Sequence, residues 1–325
     1  MKKFIKNITR LDLPIAVLLL LVSVALWVPD FINSLGQSQQ IVPILFMPHA
    51  VSCSMQPVAV LLLSFGLCII NALLLLFILY ISGEFKERTA MPVVLFLFMS
   101  GAFKAVHFML AYHIGLLLMI LVLILMIQTF RKPDLAEYSF LATLILYLAA
   151  IFVPDLMYFI PFLWLMLIAN RALSAKTLIA SWLALGTVFV FLLFFIFYKS
   201  ESWQYFDFEN LLDRHIIQPW PLQSFVGKVV LLVVAILLSV YYFLDKSLLN
   251  IKQIIVFDEI IIVAVFVLFA IVFPSSHYVD DIYPMGVFVM SALATHYFIA
   301  SPSVVRGVMF LVYLFSQIIY WVFSL

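Results

Sequence analysis

The sequence predicts an all-α fold, a polytopic transmembrane bundle of about eleven helices in one domain covering residues 1–325. Three observations predict it. Hydrophobic residues make up 67% of the chain and charged residues only 10%, against roughly 25% charged in a soluble domain; no soluble core hides that much apolar surface. The apolar residues come in runs close to the ~20 residues that a hydrocarbon core of about 30 Å requires. Basic residues gather in alternate connections between these runs, which is the bias that orients membrane helices.

The stretch from Tyr138 to Lys176 sets the frame. Its apolar run is too long for one crossing and short for two. Pro154 and Asp155 stand at its middle, where proline ends a helix and a carboxylate is costly in lipid. Two short helices joined by a turn at Val153–Asp155 satisfy both facts. The chain then returns to its starting side, so the basic clips Arg131–Lys132 and Arg171 to Lys176 share one face.

Taken in order, the expected spans are 13–29, 57–82, 91–109, 114–130, 138–153, 155–170, 177–198, 224–244, 254–273, 283–300 and 304–324. The first has a basic start like a signal peptide, but its core runs into Trp27, Val28, Pro29 and Asp30 with no small-x-small cleavage site, and is expected to stay as a span. With the N-terminus in the cytoplasm, thirteen of the seventeen Lys and Arg fall inside and four (Lys104, Lys199, Arg214 and Lys228) fall outside or near the outer face. The reverse orientation inverts that count, so the N-terminus is expected inside. The localisation that follows is a bacterial inner membrane.

Three external loops are expected, at about 30–56, 199–223 and 274–282. The first lacks Lys and Arg and holds an apolar segment too short to span, expected to lie along the membrane surface. The second mixes aromatics with Arg214 and His215, and the third carries His277, Asp280 and Asp281. Aromatics at an interface need no ligand to explain them.

Ionisable groups inside a membrane are functional candidates. Lys104 and His107 are three apart and share a helix face. One reading has Lys104 snorkelling to the interface with His107 and His113 in headgroup-level water; the other makes a cationic patch for a lipid phosphate. Asp258 and Glu259 are adjacent, so they point about 100° apart and form no dyad; with Lys252 they mark the inner interface. Asn71 and His296 are read as inter-helix hydrogen-bonding groups. The two cysteines, Cys53 and Cys68, are not expected to pair. No metal-ligand spacing or soluble-enzyme motif occurs, so neither metal nor cofactor is expected. A net charge of +1 without a basic run argues against nucleic acid.

Two resemblances enter on these residues. The span with Asn71, the clip Gly83–Thr89, Arg131–Lys132, the Pro154 hairpin, and Arg171 followed by Trp182 resemble a family of multi-spanning inner-membrane proteins of Bacteroidota with no established activity, over roughly residues 57–198. Asp155 stands where that family tends to have a second proline. The layout as a whole is similar to the integral-membrane glycosyltransferases of the type C fold: about eleven spans, an external acid after the first, a long first external loop and short paired helices. That resemblance implies a periplasmic site, with Asp30 as base on the acceptor and a polyprenyl-phosphate-linked sugar as donor. Lys104, His107, Arg214 or His215 would hold the lipid phosphate, with His277, Asp280 and Asp281 as further substrate-binding candidates. It implies membrane lipids as partners and names no protein partner. Asp30 as a mere cap of the first span, a non-catalytic envelope scaffold, and a transporter lined by Lys104, Asp258 and Glu259 remain open beside it.

Overall fold

A computed structural model describes residues 13–35, 40–45, 51–83, 89–132, 135–199, 222–272, 283–299 and 304–324. Among them are eleven α-helices. They are α1 (Leu13–Ser34), α2 (Pro57–Ile81), α3 (Met91–Ala102), α4 (Leu110–Gln128), α5 (Ala136–Phe152), α6 (Ile160–Ala169), α7 (Ala175–Lys199), α8 (Leu222–Asp245), α9 (Ile251–Val272), α10 (Tyr283–Ile299) and α11 (Val304–Ser324). Single 3₁₀ segments precede α4 (Lys104–Val106), α6 (Pro154–Phe159) and α9 (Lys246–Leu248). Five helices, α1, α2, α4, α9 and α11, contain stretches long and apolar enough to cross a membrane. The chain is a helical membrane protein.

Each helix starts where the sequence permits. α2, α3 and α6 begin with proline in their first two positions, where its missing N–H has no intrahelical partner to lose. α4 and α6 are followed by Arg131 and Arg171, both at φ 54°, the left-handed geometry in which helices commonly close. The Pro154 junction is a turn as expected, but its second arm opens with the 3₁₀ run Pro154–Phe159 before α6 begins.

Two expectations need correction. α1 does not stop at Pro29; it carries Pro29 inside and runs to Ser34, so Asp30 sits on the helix and does not open a loop. Proline is tolerated inside membrane helices; it removes the N–H that would reach the Ala25 carbonyl, and next to that carbonyl the Leu26 oxygen accepts the Trp321 Nε1–H at 3.1 Å, docking α11 on this stretch of α1. The third span ends at Ala102 and not at 109. The long connection between α1 and α2 adds an element that was not anticipated: Gln40–Leu45 (β1) pairs antiparallel with Val51–Met55 (β2), with a register shift at Pro43/Leu45. Proline inside β1 suits a two-stranded ribbon, which is all edge.

α3 and α10 form the centre. α3 is buried at eleven of its twelve positions, and α10 at fifteen of seventeen. Helices apolar all round are enclosed by others. α3 touches α1, α2, α10 and α11, while α10 also meets α8 and α9. α4, α5 and α7 pack in succession beside this centre. There, small polar residues bond across helices: Ser139 Oγ–H donates to the Thr177 carbonyl at 2.9 Å, and the Thr143 and Ser181 hydroxyls lie 2.9 Å apart. Such bonds and close packing hold helices together in lipid, where burial of apolar surface drives little.

Gly101 permits the closest approach. A Cβ there would meet Leu26 Cβ at 3.0 Å and the Ser23 carbonyl oxygen at 3.1 Å, both on α1. Gly101→Val is expected to lower stability by about 1–3 kcal/mol, the cost of overpacking, whereas Gly66→Ala, with nothing within 4 Å, should not lower it. Thermal unfolding of both variants in one detergent checks the contrast.

Candidate functional site

α3 has only twelve residues, so it rises about 18 Å at 1.5 Å per residue, well short of a hydrocarbon core of about 30 Å. The chain therefore turns at Phe103–Met109 while still enclosed by neighbouring helices. This draws Lys104 and His107 inward against Asp30 on α1. His107 Nδ1 lies 2.6 Å from Asp30 Oδ2, and Lys104 Nζ lies 3.7 Å from Asp30 Oδ1. Two of the expected site residues thus meet the expected acid, and both of its oxygens are engaged.

Burial is uneven across the three. The His107 side chain is 0% exposed and that of Asp30 7%, whereas that of Lys104 is 37% exposed. The imidazole ring stacks on the Trp27 indole, with centroids 3.9 Å apart and planes inclined 23°. Trp27 and Asp30 are three residues apart on α1, one helical turn, so both face the same neighbour. Trp27 is a site residue that the sequence reading passed over, and its spacing from Asp30 was the available signal. Neither Trp27 Nε1 nor His107 Nε2 has a hydrogen-bond partner among the described residues.

Beneath this group lies His113, in the first turn of α4. Its Nε2 is 3.1 Å from the Val106 carbonyl oxygen, and its own carbonyl accepts from Asn71 Nδ2 at 3.1 Å. The reading that put both histidines in headgroup-level water is corrected: each is fully buried, because the short α3 carries their turn into the bundle. Asn71 does join α2 to α4, as its position suggested. Arg214, His215, His277, Asp280 and Asp281 lie outside the described residues.

Chemically, the dyad can do one of two things. A carboxylate bonded to Nδ1–H holds the imidazole in the tautomer whose Nε2 accepts a proton, the arrangement used by acid–histidine pairs in hydrolases. The same contact also pins the α3–α4 turn to α1. Lys104, the one exposed cation of the three, can bind an anionic group by charge-assisted hydrogen bonds.

The opposite end of the bundle holds a second polar layer. Asp258 accepts from Lys246 Nζ at 2.6 and 2.8 Å and from the Tyr242 hydroxyl at 2.8 Å. Glu259 turns the other way and accepts from Asn170 Nδ2 at 2.7 Å. The two acids diverge, as adjacent helical positions must. His296 on α10 reaches Asp245 on α8, with Nε2 3.6 Å from Oδ2, and Arg306 donates to the Tyr241 hydroxyl. No group of three His, Cys, Asp or Glu side chains disposed to hold a metal occurs among the described residues. Cys68 is a free, buried thiol.

No family model matches the chain, and no curated protein or solved structure matches it.

Breaking one partner of a buried pair leaves the other unsatisfied. A double-mutant cycle on Asp30→Ala and His107→Ala is expected to give a coupling energy of about 1–3 kcal/mol, the range for side chains in direct contact. The cycle of Asp30→Ala with Lys104→Ala should give under about 1 kcal/mol, because the lysine is partly solvated. Unfolding free energies of the three single and two double variants, against the wild type, decide it.

Proposed function

We propose that this is a bacterial inner-membrane protein that crosses the bilayer about eleven times and handles a polyprenyl- or lipid-linked saccharide at its periplasmic end. The observation that carries the reading is the meeting of Asp30, His107 and Lys104, with only the lysine exposed. A cation presented at a membrane face beside a buried acid–histidine pair suits the phosphate of a lipid-linked sugar. The topology is supported by the sorting of contacts into two layers. Asp30 meets Lys104 at one end, while the Gly83 carbonyl meets Gln253 and the Arg131 N–H meets the Asn170 carbonyl at the other. These are the groupings that alternate crossings produce.

In glycosyl transfer, the acceptor oxygen bonds to the anomeric carbon as the bond from that carbon to the phosphate oxygen breaks. The leaving electron pair goes to the lipid phosphate, which Lys104 steadies. The acceptor proton goes to His107 Nε2, with Asp30 stabilising the imidazolium that forms. This assigns Asp30 an orienting and electrostatic role, and it requires the packing around the buried edge of the imidazole at Nε2 to open when substrate enters. A type-C-like arrangement of the spans belongs to the same proposal.

A second reading, a non-catalytic scaffold for envelope assembly, is favoured by one observation: His107 is fully enclosed. The envelope glycan profile of the native host separates the two. Under the saccharide-handling reading a deletion strain is altered, and Lys104→Ala and His107→Gln reproduce it. If deletion alters the profile while both variants look wild type at normal protein levels, the scaffold reading replaces it; an unaltered deletion strain also overturns saccharide handling. For topology, single cysteines replacing Asp155 and Arg171 in a cysteine-free background should react with a membrane-impermeant maleimide from opposite sides of the membrane. Reaction from one side would refute the hairpin.

A further inference from the structure

Glu259 lies eight residues into α9 and is 1% exposed. Among the described residues no lysine, arginine or histidine forms an ion pair with it. Its one donor among the described residues is Asn170, a neutral amide bonding Oε1 at 2.7 Å, and Oε2 has no hydrogen-bond partner among them. Lys246, which reaches the neighbouring acid, is committed there, its Nζ held by both carboxylate oxygens of Asp258, and Lys252 on the same helix as Glu259 is exposed. Asn170 is shared as well: the same Nδ2 lies 2.9 Å from the Met126 carbonyl oxygen and 3.3 Å from Thr129 Oγ1. Two N–H bonds face three oxygen acceptors, so the amide cannot fully satisfy the carboxyl.

Backbone charge adds to the imbalance. Asn170 caps the C-terminus of α6, and Met126 and Thr129 close the C-terminus of α4. Both helices direct their negative dipole ends at this point. A buried carboxylate at two helix C-termini with one neutral donor is costly unless a positive charge joins it. Half-helix C-termini beside an acid are also where membrane proteins seat small cations. One carboxyl with a few neutral oxygens suits a single charge; a divalent ion takes more oxygen ligands and more carboxylates.

We propose that Glu259 binds an exchangeable monovalent cation, a proton or an alkali-metal ion, at the junction of α4, α6 and α9. The occupant supplies what Oε2 lacks and neutralises the carboxyl between the two dipole ends. Its presence ties the ends of α4 and α6 to α9. This site is at the opposite end from Asp30 and does not depend on the saccharide reading.

The test uses the full chain in lipid nanodiscs treated with dicyclohexylcarbodiimide, which adds to carboxyl groups that carry a proton in apolar surroundings. Peptide mass spectrometry then reads the adduct. In choline chloride, where no alkali ion competes, the adduct is expected on Glu259 and not on the adjacent Asp258, whose oxygens are held by Lys246. Replacing choline with sodium slows the labelling several-fold if the occupant is an alkali ion and leaves it unchanged if the occupant is a proton. Glu259→Gln should remove the adduct and melt no lower than the wild type, since a neutral amide needs no cation. No adduct at Glu259 in folded wild-type protein, or equal labelling of Asp258, overturns the proposal without any need for the variant.

Discussion

The shortness of α3 is the constraint on which the rest of the structure depends. Twelve apolar residues cannot reach across a bilayer, so both ends of this helix must be sheltered by protein. α1, α2, α10 and α11 supply the shelter, with Gly101 letting α1 come within contact distance. The turn that follows would otherwise place Lys104, His107 and His113 in the headgroup region. Instead it carries polar groups into the bundle, where each needs a partner. Asp30 and Trp27 from α1, the Val106 carbonyl of the turn itself and Asn71 from α2 meet that need.

The same logic runs at the other end with different chemistry. There the basic connections and the C-terminal ends of α4 and α6 bring carbonyls, amides and acids together. Asp258 and Glu259 are neighbours in sequence, yet the helix sends one to a lysine at the partly solvated rim and the other to an asparagine in the interior. One acid is balanced by a fixed cation and one is not. That difference separates a structural ion pair from a carboxyl able to take up a mobile charge. Between the two ends, the described helices meet mostly through apolar and small polar side chains, so ionisable chemistry is confined to the layers where the helices begin and end.

Much of this fold was legible in the sequence because lipid imposes simple rules. An apolar run must be helical, its length is limited by the bilayer, and lysine and arginine count the sides. Hence most helix positions, the Pro154 junction and the divergence of Asp258 from Glu259 follow from local pattern alone. The end of α1 was less legible, since Pro29–Asp30 reads as a stop until the surrounding helices are seen to support it. The β-ribbon was hidden for a related reason: a short apolar run between polar residues has no period that separates strand from interfacial helix.

The candidate site divides along the same line. Residue types and spacing were enough to single out Asp30, Lys104 and His107, because an acid, an amine and an imidazole near the end of apolar helices are conspicuous. Their union was decided only by the packing of α1 against α3, a contact between residues 77 positions apart in the case of Asp30 and His107. The stacking of Trp27 on His107 and the capture of Glu259 by Asn170, 89 residues away, were likewise decided in three dimensions. The sequence by itself determined which segments are helical and which groups are polar, since both depend on neighbours along the chain and on the solvent. Tertiary structure alone decided which polar groups are paired and which are left over, because helix-to-helix contact in lipid is set by shape and by hydrogen bonding between distant segments.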